Sequence, residues 1–241
     1  MFQFKNFALN HEHSTLKIGT DSVLLASVVP VAGIRTVLDI GCGCGVIGFC
    51  IADRLRLQGT DNYSVTGIDI DKASIEECRN NAAAFPCDRH PDFYFEETSV
   101  QDFAPKHSSE YQLLVCNPPY FGNSLKPENE KRRQSRHRDD NLPFATLADC
   151  ARQLLTDDGR FYLILPPPEA ADFETAANGK LYLCEKMEIR PVPEKPVNRL
   201  ILGFRLKLSE NMKHTILTIR DSKRNYTPEY RERTRNFYLD F

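Results

Sequence analysis

Val37-Leu38-Asp39-Ile40-Gly41-Cys42-Gly43-Cys44-Gly45 is the stretch that decides the fold. Its apolar first half reads as a buried strand, and its alternating glycines read as a tight turn delivering the chain into a helix. The helix follows at once, with Ile47, Cys50, Ile51 and Leu55 at helical spacing over 46–57. The alternation then continues. Strands are predicted over 36–40, 64–70, a segment led by 93–95, 111–116 and 160–165, with helices over 72–85 and 142–155. Strands separated by helices predict an α/β fold, a mostly parallel twisted sheet with helices on both faces. After Glu169 the order changes. Residues 181–190 and 199–208 read as strands joined by a Pro-rich connector, which predicts an antiparallel terminal hairpin. A short strand over 215–219 and a helix over 226–237, starting near Thr227-Pro228-Glu229, complete the chain.

Length and composition bound the rest. At 241 residues, 41% hydrophobic and 27% charged, the chain fits one ordinary globular domain spanning 1–241. Within it, 1–34 is expected to be an N-terminal lid or cap, 123–141 a mobile basic loop, and 209–241 a C-terminal extension. No stretch approaches the roughly 20 apolar residues that span a bilayer, so no membrane is expected. The 8 Cys show no paired CxxC spacing, so no metal site is expected, and a reduced, cytoplasmic setting fits best. The net charge is only −2, but Lys131-Arg132-Arg133-Gln134-Ser135-Arg136-His137-Arg138 is a concentrated basic run. A second basic region holds Arg220, Lys223, Arg224, Arg231, Arg233 and Arg235. Local fields of this kind attract a polyanion.

Chemistry gathers at strand ends. The glycines after Asp39 fall at 41, 43 and 45 and depart from the GxGxxG spacing of a dinucleotide site. Asp69 ends the second strand, where a carboxylate can accept from two ribose hydroxyls; Asp71 is the better candidate for capping the next helix. Asp102 follows the third strand, placed to accept from an adenine amino group or simply to be a solvated turn acid. Thr20 and Asp21 precede an apolar helix, either as its N-cap or as part of a lid ahead of the sheet. Asn117-Pro118-Pro119-Tyr120 leaves the fourth strand. An Asn side-chain oxygen, a carbonyl on a rigid Pro and an aromatic face make a clamp for a planar amino group.

Together these residues resemble the class I S-adenosylmethionine-dependent methyltransferases, Rossmann-like enzymes that modify exocyclic or amide nitrogens. The resemblance implies S-adenosylmethionine as cofactor, held by Thr20, Asp39, Gly41, Gly43, Gly45, Asp69, Asp102 and Asn117. Asn117, Pro118, Pro119 and Tyr120 would be catalytic. The asparagine motif alone does not choose among adenine, guanine, cytosine and a protein glutamine amide. The opening Phe2-Gln3-Phe4-Lys5-Asn6-Phe7, the segment 17–25, and the ending Tyr226-Thr227-Pro228-Glu229-Tyr230 with Asn236-Phe237-Tyr238-Leu239 resemble a narrower family. Its members methylate N6 of an adenosine beside the anticodon of valine tRNA in bacteria. His11-Glu12-His13-Ser14-Thr15 departs from that family's pattern. The partner implied is tRNA, with Arg132, Arg133, Arg136 and Arg138 as candidate phosphate contacts. The alternatives are a protein glutamine N5-methyltransferase, another nucleic-acid amino-methyltransferase, or a catalytically silent binding protein.

Overall fold

The computed structural model describes residues 1–14, 17–86, 91–119, 142–208 and 211–240. A two-stranded antiparallel hairpin, β1 (Phe2–Gln3) and β2 (Ala8–Leu9), opens the chain. Helix α1 (Thr20–Val28) leads to the main sheet, which begins β3 (Thr36–Ile40), α2 (Val46–Leu57), β4 (Ser64–Asp69), α3 (Lys72–Ala84) and β5 (Asp92–Glu97). The short α4 (Val100–Phe103) precedes β6 (Tyr111–Cys116). Next come α5 (Phe144–Leu154), β7 (Leu155–Leu165), α6 (Pro167–Ala177), β8 (Tyr182–Arg190), β9 (Arg199–Arg205), β10 (Lys213–Thr218) and α7 (Pro228–Thr234).

The eight strands of the main sheet lie in the order β10-β8-β9-β7-β6-β3-β4-β5. β3 is parallel to both β4 and β6, so the chain works outward on one side and then returns to the other. That reversal is the topological switch point, where open α/β sheets leave a crevice at the carboxyl ends of the strands. β9 runs antiparallel to β7 and β8, forming the expected hairpin. The hairpin is not the edge, because β10 adds to β8 in parallel.

Alternation along the strands divides the core. Val37, Leu113, Val115 and Ile164 join one buried cluster, while Leu38, Leu114, Leu163 and Leu165 join the other. Both sheet faces are therefore covered, which is why the strands read as continuous apolar runs. Two boundaries differ from the sequence expectation. Residues 156–159, left between the predicted helix over 142–155 and the strand over 160–165, are absorbed into β7, which starts at Leu155 with an irregular register opposite Tyr111. A Cβ on Gly159 would stand 2.9 Å from the Tyr111 carbonyl oxygen, so glycine permits that approach. The last helix is shorter than expected, because Tyr226 bridges to Arg220 and Thr227 caps the helix through Tyr230 N–H at 3.2 Å.

The two termini meet. Lys5 N–H donates to the Phe237 carbonyl at 2.9 Å, and the rings of Phe4 and Phe237 lie 6.3 Å apart, edge on. No helix among the described residues is long and apolar enough to cross a membrane. The seven described cysteines are free and buried.

Candidate active site

At the switch point a cavity of about 350 Å³ opens between the turn after β3 and the start of α1. Gly41 to Cys44 form one wall, Lys17 and Gly19 to Ser22 the opposite one, and Val46, Ile47 and Asn117 complete it. A larger cavity of about 710 Å³ lies at the β5 edge beside Arg79, Tyr94, His107 and Tyr111. Only the smaller one gathers the glycine turn and the end of β6, so it is the candidate site.

The turn is held by Gly41 and Cys42 N–H, both donating to the Ile68 carbonyl at 2.9 and 3.0 Å. Gly41 and Gly43 take φ of +68° and +55°, and a Cβ on either would meet nothing within 4 Å. Gly45 is different. At φ +81° its Cβ would lie 2.6 Å from the Phe49 ring and 3.1 Å from Cys78 Sγ. Its hydrogen atom is needed for packing behind the turn, and it does not line the cavity.

Asp39 is buried, with Oδ2 accepting from Gly48 N–H at 3.0 Å and Oδ1 lacking any partner among the described residues. Burial pushes its pKa up to about 7, the Gly48 N–H offsets part of this, and the nearby Asp69 charge adds to it. Asp69 stitches the site together. Its Oδ2 accepts from Gly43 N–H and its Oδ1 from Asp71 N–H, each at 2.9 Å. Burial raises its pKa despite those bonds. Asp71 caps α3, accepting from Ala73 and Ser74 N–H at 3.3 Å, as the sequence suggested.

Asp102 sits in α4. It is exposed, its carboxylate accepts from Ser99 Oγ at 2.7 Å, and its own N–H returns to that oxygen at 3.2 Å. The pair closes the first turn of α4, and Asp102, like Asp39 and Asp69, does not itself line the cavity.

Thr20 lines the cavity, but neither it nor Asp21 is the helix cap, because the cap position of α1 is taken by Gly19. Asp21 instead pairs with Arg199 at the start of β9, Nε to Oδ2 at 2.7 Å, which ties α1 to the sheet. The segment leading to α1 is tethered from behind by α3. Glu77 accepts from the backbone N–H groups of Glu12, His13 and Ser14 at 2.7, 3.1 and 3.0 Å, and Asn81 exchanges two bonds with Asn10. Asn81 also donates to the Cys44 carbonyl at 3.1 Å, so one side chain joins this segment to the glycine turn. Nothing in the sequence marked Glu77, Asn81 or Arg199, since each acts through long-range partners.

Asn117 leaves β6 into the cavity wall. Its Nδ2 donates to Ser22 Oγ at 3.0 Å, and its Oδ1 is buried without a partner among the described residues. Pro118 is buried and Pro119 exposed. Tyr120, Arg132, Arg133, Arg136, Arg138 and the loop expected over 123–141 lie outside the described residues.

Comparison with known proteins agrees with this geometry. The family model described as "Methyltransferase small domain" matches residues 8–166. Proteins named tRNA1(Val) (adenine(37)-N6)-methyltransferase from Yersinia pseudotuberculosis serotype O:3 (strain YPIII) and Yersinia pestis (strain Pestoides F) are each 33% identical over 242 residues. They cover 100% of this chain and 92% and 94% of their own length. Among solved structures, a predicted O-methyltransferase from Agrobacterium tumefaciens aligns with a TM-score of 0.65 at 20% identity, over 90% of this chain and 96% of the other. The 16S rRNA N2 G1207 methyltransferase of T. thermophilus, solved with AdoMet and guanosine, aligns at 0.52 and 18% identity, over 80% and 45%. These structural likenesses speak for the fold. The matched family and the full-length relatives place this chain in the methyltransferase small domain family, as an S-adenosylmethionine-dependent methyltransferase.

Proposed function

We propose that this enzyme methylates the exocyclic N6 amine of adenosine 37, beside the anticodon of a bacterial valine tRNA. The observation that carries the reading is the buried, unpartnered Oδ1 of Asn117, fixed at the switch point while Ser22 holds the other end of the amide. An orphaned buried acceptor costs about 1–3 kcal/mol, so a protein that keeps one at a cavity keeps it for a ligand's donor. An adenine amino group is such a donor.

The residues also fit the cofactor. Gly41 and Gly43 leave open space where any side chain would intrude, and the Asp69 carboxylate stands directly behind the turn, accepting from Gly43 N–H. When bound, S-adenosylmethionine supplies a methyl group activated by a sulfonium. Asp69 would accept from the ribose, Thr20 would flank the methionine end, and Asp102, in the helix after β5, would accept from the adenine amino group.

Asn117 Oδ1 and the Pro118 carbonyl take the two N–H bonds of the substrate amine. Its lone pair is delocalised into the ring, and two acceptors favour the pyramidal form that can attack. Both acceptors are preorganised, by Ser22 and by the proline backbone. Tyr120 is assigned the stacking face from its place in the motif. Anticodon-loop bases are readily splayed from the stack, which lowers the cost of bringing one to the cavity. A tRNA substrate in turn supports a cytoplasmic setting.

Labelled cofactor offered with total tRNA or with total protein tests this. The expected result is label in N6-methyladenosine of tRNA, lost with Asn117→Ala while cofactor binding persists. Label in a protein amide would replace this reading with the glutamine one.

A further inference from the structure

Two loops at the far side of the active edge form a built basic surface. Residues 191–198 follow β8 and residues 219–226 follow β10, so both emerge at the same carboxyl-end edge as Asn117. They are stitched together, with Ile219 N–H donating to Arg190 O at 2.9 Å, Arg220 N–H to Pro191 O at 3.1 Å, and Ser222 Oγ to Glu194.

The turn at their tip is rigidly made. Asp221 N–H donates to Asn225 O at 2.8 Å, and Asp221 Oδ1 accepts from Lys223 and Asn225 N–H at 2.9 Å each. The Arg220 guanidinium lies 3.7 Å from the Tyr226 ring centroid and donates to the Arg224 carbonyl at 2.7 Å. Arg224 is thereby fixed at φ +70°. Lys195, Lys223 and Arg224 project from this frame, exposed and without a salt bridge among the described residues.

Charge separates this surface from the rest of the chain. Residues 191–198 and 219–226 hold four Lys or Arg, Lys195, Arg220, Lys223 and Arg224, against two carboxylates, in a chain of net charge −2. Both carboxylates keep their negative charge, but they face inward to the frame, Asp221 accepting from the turn backbone and Glu194 from Ser222. The surface stands three to four strand steps from β6, about 14–19 Å at the usual spacing. RNA attached to a nucleobase held at Asn117 can span that distance with its phosphates.

We propose that Lys195, Lys223 and Arg224 form a phosphate grip for the stem of the RNA substrate. This rests on the tRNA reading above. Phosphate contacts of this kind set register and orientation without reading sequence, leaving base selection to the cavity.

The test combines Lys195→Gln, Lys223→Gln and Arg224→Asn, the last chosen because Asn tolerates a positive φ. The probe is a transcribed valine tRNA, titrated across salt concentrations. Affinity at low salt should fall tenfold or more, and the log–log salt slope should flatten by roughly 0.7–0.9 for each phosphate no longer neutralised. Cofactor affinity and the single-turnover rate at saturating RNA should match the parent. Lys195→Arg with Lys223→Arg keeps the charge and should keep the slope.

An unchanged slope in the triple variant would overturn the grip, as would an equal loss in the charge-preserving one. Parent protein that methylates tRNA while the triple variant keeps its slope loses only the grip. Parent protein that neither labels nor binds tRNA loses the substrate reading and the grip with it.

Discussion

Ser22 Oγ, in the first turn of α1, accepts the Asn117 Nδ2 hydrogen bond at 3.0 Å across 95 residues of sequence. The N-terminal helix thus sets the orientation of the side chain that ends β6. With the amide held at Nδ2, the unpartnered Oδ1 is fixed in one direction.

Ser22→Ala releases that hold. The single-turnover rate should fall by up to about tenfold, the worth of one net hydrogen bond, while cofactor affinity changes little. Ser22→Thr keeps the oxygen and should recover most of the rate. Rapid-quench measurement on tRNA checks this, and an alanine variant as fast as the parent would remove Ser22 from the positioning of Asn117.

Asp69→Ala should act on binding instead. It removes the carboxylate that anchors Gly43 N–H and also the proposed ribose acceptor. Charge-assisted bonds of about 1.5–3 kcal/mol predict at least a tenfold weaker cofactor affinity. Calorimetric titration decides it, with an unaltered constant excluding Asp69 from the site.

Two glycines of one turn should fail differently. Gly45→Ala drives a methyl group to 2.6 Å from the Phe49 ring at φ +81°, and a loss of roughly 1–3 kcal/mol of stability is expected. Gly43→Ala meets no atom, so its stability cost is only the φ penalty of about 1 kcal/mol. Its methyl group enters the cavity, and cofactor affinity should fall more than stability does. Paired denaturation and binding measurements would show the two profiles; identical profiles would contradict the division of roles.

Asp39 predicts an unusual pH response. Its folded pKa of about 7 lies above the ordinary 3.8 because of burial, so between these values the native protein keeps a proton that the unfolded chain has lost. Stability therefore falls as pH rises from about 4 to 7, by a total on the order of 4 kcal/mol from this group. The raised pKa of Asp69 has the same sign. Denaturant melts at pH 5 and pH 8 should differ less in Asp39→Asn than in the parent. An equal difference in both would show that Asp39 is not the source.

Much of this was legible in the chain itself. The strand 36–40, the helix 46–57 and the strand 111–116 could be bounded from sequence because their apolar residues keep a local period and end at glycine or proline. Asp71 and Thr227 announced their helix starts for the same reason, since a cap bonds only two or three residues ahead. Asn117, Asp69 and the glycine turn could be placed at strand ends because open α/β sheets put chemistry there.

What the tertiary structure decided is everything that depends on distant partners. It separated Gly45, which packs on Phe49, from Gly41 and Gly43, which face space, although the three share one local pattern. It set Asp102 in a helix turn with Ser99. It also brought Ser22 to Asn117, Asp21 to Arg199 and the 219–226 turn onto the loop after β8. Sequence periodicity reports which face of an element is buried. It carries no record of which remote residue meets that face, because that depends on the order in which the strands pair.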